Sequence, residues 1–167
     1  DKVTHNGKYD STVLIENGID IENLAFDTMI AAYLLGEKSL GLKALAFNRL
    51  GTEMTPITSL IGTGAKQKTF DNVAISDAVR YASADADMTL RLAHIFEKEL
   101  QEQGLWNLFS EVEMPLMPIL REMERAGIAL DVESLSAMSH DLGERIAAIE
   151  VEIYKNTGHE FNINSPQ

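Results

Sequence analysis

Residues 80–87 read Arg80-Tyr81-Ala82-Ser83-Ala84-Asp85-Ala86-Asp87 and lie within a helical pattern of apolar residues that runs from position 73 to 103. Tyr81 and Asp85 are four residues apart, so a helix places both side chains on one face. A carboxylate on that face can bind a divalent cation, and a phenol beside it can orient an attacking water. Taken alone, the same spacing also fits a packed tyrosine next to a solvated acid.

Upstream of this helix, the pattern predicts short strands that alternate with helices. A weak alternation at 2–5 indicates a strand, and Asp10 or Ser11 then resembles the N-cap of a helix that ends at Asn17-Gly18. The remaining predicted elements are an extended segment at 19–26 and helices at 29–35 and 40–50, each helix followed by a glycine.

Residues 52–69 are rich in Thr, Ser, Gly and Lys, and we expect a loop with one helical turn at 57–61. A loop of this length in a compact domain is usually functional or mobile. Lys66 and Lys68 make it one of the few basic segments, so it is a candidate contact for a phosphate backbone. The alternative is an ordinary solvated loop.

Only long helices are predicted after Gly104, which places a domain boundary there and divides the chain into residues 1–104 and 105–167. A helix at 105–125 contains Pro115 and Pro118, which should kink or restart it. Asp131 should cap the last helix, whose narrow apolar stripe suggests a partner outside the chain. The stripe consists of Leu135, Met138, Leu142, Ile146, Ile149 and Ile153.

The composition fits a globular domain rather than a membrane protein or a free-standing nucleic-acid binder. The chain has 167 residues, is 45% hydrophobic and contains no cysteine, which excludes disulfides and thiolate metal sites. No segment approaches the ~18 apolar residues of a membrane span, and we expect a cytoplasmic protein without a membrane partner. With a net charge of −12, the chain lacks the cluster of basic residues that is typical of a DNA-binding protein. Most DNA contacts should therefore lie elsewhere in a longer polypeptide of which this is an excerpt.

Several segments, in this order and spacing, together resemble the 3′-5′ proofreading exonuclease domain of bacterial family A DNA polymerases, continuing into the start of the polymerase domain. Residues 6–10 (Asn-Gly-Lys-Tyr-Asp) are similar to the second exonuclease motif of that family, and residues 25–29 to the segment after it. Residues 80–87 are similar to the third motif in its tyrosine form. Residues 113–120 and 123–128 resemble the join to the polymerase, and residues 161–167 resemble the stretch that enters the thumb.

The resemblance implies an α/β fold of the ribonuclease H-like type that lacks its opening strands and is followed by polymerase helices, so that the excerpt itself is α-rich. It implies that Asp85 binds one catalytic Mg²⁺ or Mn²⁺ directly and that Asp10 serves a second ion largely through water. Tyr81 would orient the attacking water, and Asn6 would lie beside the terminal nucleotide. The implied partner is a frayed or single-stranded DNA 3′ end, and dNTPs would bind only at the polymerase site after residue 167.

The chain departs from the family pattern in one respect, since the first motif, an Asp-x-Glu pair on the opening strand, does not precede residues 6–10. Two such strings occur, but Asp20-Ile21-Glu22 follows the second motif and Asp131-Val132-Glu133 resembles a helix cap. We therefore expect little exonuclease activity from the excerpt alone. An alternative is a catalytically dead exonuclease-like domain that supports the polymerase structurally.

The histidines predict no metal site. His5, His94, His140 and His159 are scattered, and their spacing matches no zinc site, so all four are interpreted as surface or packing residues.

Overall fold

The computed structural model describes residues 1–165, and its first unit is organised around a short parallel sheet. Strands β1 (Lys2–Thr4) and β2 (Leu24–Asp27) pair in parallel, with Thr4 opposite Asp27. A helix, α1 (Gly7–Glu16), connects them, as parallel strands require a crossover. The carboxyl ends of both strands therefore meet beside the N-terminus of α1.

Helices make up most of the described residues, as the sequence predicts. The others are α2 (Thr28–Leu34), α3 (Leu42–Leu50), α4 (Thr58–Ile61), α5 (Ile75–Glu102), α6 (Trp106–Leu108), α7 (Met114–Ala126) and α8 (Val132–Thr157). The single turn of α4 lies where a helical turn was predicted within the 52–69 loop. Short 3₁₀ turns at Gly64–Lys66 and Phe70–Asn72 complete that loop.

The C-terminal half of α5 forms the centre of the core. Its side chains Leu92, Phe96 and Leu100 are fully buried, and α5 packs against α2, α3 and β1. Phe26 of β2 meets Phe109 with ring centroids 4.6 Å apart, which closes the core on the other side. The N-terminal half of α5, which carries Tyr81 and Asp85, extends beyond this core and lines a surface instead.

Helix α1 begins earlier than the sequence predicts. The expected N-cap at Asp10 or Ser11 is wrong, because the helix starts at Gly7 and Asn6 precedes it in the left-handed conformation (φ 65°). Asn6-Gly7 looks like a turn in the sequence, and asparagine tolerates this conformation better than most residues. The N-terminal amides of α1 are bound by a carboxylate that is distant in sequence, which no local pattern shows.

The helix predicted at 105–125 is interrupted by a π-helical turn over Phe109–Glu113, which lies between α6 and α7 and just before Pro115. Pro118 lies inside α7. The predicted kink or restart at the prolines stays a prediction.

A second compact unit begins at Gly127, and its main element is α8. Asp131 caps this helix as predicted, since its carboxylate accepts a hydrogen bond from the Ser134 backbone N–H at 2.9 Å. The predicted apolar stripe of α8 is exposed, with Leu135 at 50% and Leu142 at 46% of full accessibility. The partner that would cover this stripe remains a prediction. The last two residues of the thumb-like segment, Pro166 and Gln167, lie outside the described residues.

Within the described residues, none of the helices is both long and apolar enough to cross a membrane.

Candidate active site

Residues from three distant parts of the first unit surround an open cleft of about 860 Å³. The N-terminal half of α5 forms one wall, the start of α3 forms another, and β1 with the first turn of α1 forms the third. The titratable side chains that line this cleft are Asp1, His5, Asp10, Lys43, Tyr81 and Asp85. The structure thus brings together the three residues that the sequence singles out as catalytic, namely Asp10, Tyr81 and Asp85.

The Tyr81 ring contacts two side chains, those of Lys43 and Phe70. Lys43 places its ammonium nitrogen 5.1 Å from the centroid of the Tyr81 ring, a cation–π distance, and the ring of Phe70 lies 6.0 Å away. Desolvation raises the pKa of the Tyr81 phenol, and the negative charge of Asp85 together with a hydrogen bond between the two side chains raises it further. The phenol therefore keeps its proton at neutral pH.

Asp85 lies one turn after Tyr81 and is half-buried in the same wall. Partial burial raises the pKa of the Asp85 carboxyl, while the positive charge of Lys43 and the hydrogen bond with Tyr81 act in the opposite direction. Lys43 is thus the nearby cation that favours the ionised form of Asp85, which is the form that binds a metal ion.

Asp10 approaches the cleft from the first turn of α1. Desolvation raises the pKa of its carboxyl, and the negative charge of Asp27 adds to this, while His5 opposes it. Two acids whose carboxyl groups both titrate above their ordinary range thus face one cavity. This pattern is enriched at functional sites, because a bound cation can relieve the unfavourable charge.

His5, interpreted from the sequence as a surface or packing residue, also lines the cleft. It is half-buried, and its Nδ1 lies 2.9 Å from the Thr28 hydroxyl. Burial lowers the pKa of the His5 ring despite the carboxylates of Asp27, Asp10 and Asp85 nearby, each of which acts to raise it. A neutral imidazole therefore faces the acids at neutral pH.

The two residues proposed from sequence to contact substrate lie away from the walls of this cleft. Asn6 lines a separate cavity of about 150 Å³ between α1, α2 and α7. Lys66 ends the exposed 3₁₀ turn in the 52–69 loop.

Neither Asp-x-Glu string contributes to the cleft. Asp20 is exposed on the segment between α1 and β2, and Asp131 is an exposed helix cap.

Asp10 and Asp85 have the right donor chemistry for Mg²⁺ or Mn²⁺, which bind carboxylate oxygens and commonly use only one or two of them beside water and substrate phosphates. They fit as partial ligands. Among residues 1–165, no group of three or more His, Cys, Asp or Glu side chains is arranged to hold a metal ion.

Sequence reasoning missed Lys43. The one available signal is its place in the first turn of a predicted helix, where a cation opposes the helix dipole and needs another reason to be there.

Comparison with known proteins defines the family. A model of the 3′-5′ exonuclease of family A DNA polymerases matches residues 1–101. The chain belongs to this exonuclease family. The resemblance drawn from the motifs is thereby confirmed.

Curated relatives extend the match across the chain. The DNA polymerase I of Chloroflexus aurantiacus is 45% identical, with 99% of this chain and 18% of the relative covered. That of Pseudomonas aeruginosa is 37% identical, with 99% of this chain and 19% of the relative covered. The exonuclease-family chain thus spans about a fifth of the length of the curated relatives it matches.

Solved structures agree with the predicted fold. The POL domain of Pol1 from Mycobacterium smegmatis, in complex with a DNA primer-template and dNTP, superposes with a TM-score of 0.74 at 28% identity, covering 99% of this chain and 26% of that one. Brucella melitensis NrnC with bound Mg²⁺ gives a TM-score of 0.56 at 20% identity, covering 74% and 59%, and shares the fold. The predicted α-rich exonuclease fold is therefore confirmed.

Proposed function

We propose that the cleft is the metal-dependent 3′-5′ exonuclease site of a longer DNA polymerase I that acts in DNA replication and repair. The observation that carries this proposal is the convergence of Asp10 with Tyr81 and Asp85 in one cavity. Helices α1 and α5 are far apart in sequence, so the tertiary fold is what brings these three side chains into one cavity.

Asp85 would hold one divalent cation directly, and Asp10 would serve a second, largely through water. When bound, two such ions stabilise the attacking and leaving oxygens of an in-line displacement at phosphorus. The raised pKa of both carboxyl groups supports this assignment, because a cation is the group that would favour their ionised forms. Further ligands would have to come from outside the described residues.

Tyr81 would orient the attacking water. Its neutral phenol keeps both a donor and an acceptor, and Lys43 and Phe70 restrict the ring. The adjacent His5, neutral and hydrogen-bonded through Nδ1, offers a second uncharged polar group on the same cleft.

The substrate would be the 3′ end of a DNA strand, single-stranded or frayed, from which deoxynucleoside monophosphates are removed. A mispaired end enters more easily because it has already lost the pairing that a matched end must break. Asn6 would lie near the terminal nucleotide and Lys66 near the backbone, although a net charge of −12 leaves most DNA contacts to the rest of the protein. Any dNTP would bind at a polymerase site outside this chain. The longer protein would act in the cytoplasm.

The test compares the 167-residue chain with the same chain extended by its upstream coding sequence. Each is incubated with Mg²⁺ or Mn²⁺ and a 5′-labelled single strand. We expect the chain alone to be inactive and the extended chain to shorten the strand from its 3′ end. Asp85→Ala and Asp10→Ala should abolish this activity, and Tyr81→Phe should lower the rate by roughly 10²-fold, the scale of a positioned catalytic group.

Matched controls come from the same elements. Tyr9→Phe repeats the tyrosine change on the exposed face of α1, and Asp20→Ala repeats the acid change outside the cleft; both should retain full activity. An extended chain that binds no metal and cuts no DNA would favour the structural-support alternative. Digestion by the 167-residue chain that depends on Asp85 would refute the expected inactivity of the excerpt.

A further inference from the structure

We propose that Asp27 is a positioning residue that fixes helix α1, and therefore Asp10, at the edge of the cleft. The proposal rests on the function proposed above for Asp10. Asp27 is the last residue of β2 and is only 1% exposed. It does not line the cleft itself, so it acts through the helix that it holds.

The Asp27 carboxylate binds the N-termini of α1 and α2 and the end of β1. Each oxygen accepts more than one hydrogen bond, and Oδ1 serves the starts of both helices. Oδ1 accepts from the α2 amides Met29 (2.8 Å) and Ile30 (3.2 Å) and from Asn6 N–H (3.3 Å), whereas Oδ2 accepts from Gly7 N–H (2.5 Å) and the Thr4 hydroxyl (3.3 Å).

Helix α1 depends on this distant carboxylate for its cap. Asn6 occupies the N-cap position of α1, but its side chain makes no capping hydrogen bond. The first amides of a helix have no partner within the helix and need an acceptor from elsewhere. Asp27 supplies that acceptor from the neighbouring strand, so the start and direction of α1 are tied to the sheet.

The close approach that this requires is built into the sequence as Gly7. A Cβ at this position would lie 2.3 Å from the Thr4 hydroxyl oxygen and 3.1 Å from a Leu24 methyl carbon. Only glycine allows the first amide of α1 to come this near to β1 and reach Asp27. Asp10 follows three residues later, one helical turn from the anchored amide, and so inherits its position.

An ionised carboxylate fits here better than an amide. It is an acceptor at both oxygens, and the amides around it are all donors. Asparagine caps a helix about as well as aspartate, so Asp27→Asn can keep Oδ1 on α2 while its NH₂ group faces Gly7 N–H. The substitution therefore weakens the α1 anchor selectively, because it removes the acceptor of Gly7 N–H and leaves the Oδ1 bonds to Asn6 and to the α2 amides in place.

Amide hydrogen exchange tests this selective weakening in the 167-residue chain. In Asp27→Asn, exchange in the first turn of α1 should accelerate by about tenfold or more, as expected for the loss of a charge-assisted hydrogen bond. The Met29 and Ile30 amides and the α5 core should keep wild-type protection. Asp131→Asn is the matched control, since it makes the same change at an exposed cap and should affect only α8.

A purely structural role gives a different result. If Asp27→Asn accelerates exchange in α2 and the α5 core as much as in α1, or leaves α1 unchanged, the positioning role is refuted. Should Asp27→Asn fail to fold, Gly7→Ala addresses the same contact from the other side. It keeps the carboxylate and the α2 cap, and it should accelerate amide exchange in the first turn of α1 more than in α2 and the α5 core. Equal acceleration in all three, or none in α1, would again refute the proposal.

Paramagnetic broadening by Mn²⁺ then connects the anchor to the site. In the wild-type chain extended by its upstream sequence, Mn²⁺ should broaden amide signals around both Asp10 and Asp85. In Asp27→Asn, or in Gly7→Ala if that variant is needed, broadening should persist near Asp85 and fall several-fold near Asp10. Equal broadening at both places in wild type and variant would refute the positioning role. No broadening in the wild type would refute the metal site instead. Amide hydrogen exchange would then be the remaining test of the Asp27 anchor.

Discussion

Gly7→Ala should destabilise the first unit by about 1–4 kcal/mol. Its added Cβ would lie 2.3 Å from the Thr4 hydroxyl oxygen, closer than Cβ atoms approach in proteins, and 3.0 Å from Thr4 Cβ, which is tighter than most Cβ contacts. Thr4 has little freedom to rotate away, because it is β-branched and its hydroxyl lies within hydrogen-bonding distance of the Phe26 carbonyl oxygen and the Asp27 carboxylate. Helix α1 must therefore shift away from β1.

The magnitude combines three effects. Overpacking of a tight contact typically costs about 1–3 kcal/mol. Lengthening the hydrogen bond from Gly7 N–H to the Asp27 carboxylate removes part of an interaction worth about 1.5–3 kcal/mol. The helical preference of alanine over glycine returns at most about 1 kcal/mol. The losses exceed the gain over this whole range.

Urea denaturation followed by Trp106 fluorescence is a suitable assay, because Trp106 is the only tryptophan and packs beside the core of this unit. Gly143→Ala in α8 is the control, since nothing lies within 4 Å of the added Cβ. It should leave the Trp106 transition unchanged and slow amide exchange in α8. The double variant Gly7→Ala/Thr4→Ala should recover part of the loss, since it removes the hydroxyl oxygen from the clash. A Gly7→Ala protein within about 0.5 kcal/mol of wild type, the range of a neutral surface change, would refute the close approach of α1 to β1.

Three further predictions concern the cleft and the core. Lys43→Met should raise the pKa of Asp85 further, because it removes the cation that favours the carboxylate. NMR titration of the Asp85 carboxyl carbon measures this pKa. An unchanged pKa would mean that Lys43 lies too far away to act. Burial lowers the pKa of His5, so the unfolded state takes up its proton first, and stability should fall as pH drops below the ordinary value of 6.5. Thermal midpoints between about pH 5 and 7 should show a shallower decline in His5→Gln, and parallel curves for the two proteins would count against a buried neutral ring. Phe109→Ala should cost about 3–5 kcal/mol in far-UV circular dichroism melts, since the side chain is fully buried against Phe26; a loss below about 1 kcal/mol would mean that the aromatic contact carries little of the core.

Much of the site could be predicted from sequence because its first part is local. Tyr81 and Asp85 share a face through the geometry of a single helix, and four-residue spacing is all that this requires. The match of residues 6–10 to a family motif then supplied Asp10, although no physical pattern connected it to α5. The place of His5 in the cleft was not foreseen, and Lys43 was missed, because each reaches the cleft from an element whose placement depends on long-range packing.

The sequence by itself determined the helices, their glycine ends and the Asp131 cap, since these depend on periodicity and on contacts between residues a few positions apart. Its motifs also determined the exonuclease family, which the comparison of residues 1–101 confirmed. Only the tertiary structure decided where α1 begins, because its cap is a carboxylate twenty residues away on another strand. Only the tertiary structure brought α1, α3 and α5 to one cleft, because burial of the Leu92 and Phe96 face of α5 against α2, α3 and β1 fixes which side of that helix remains open. Individual residues supply the chemical groups of the site, but the packing of the core beneath it sets their geometry.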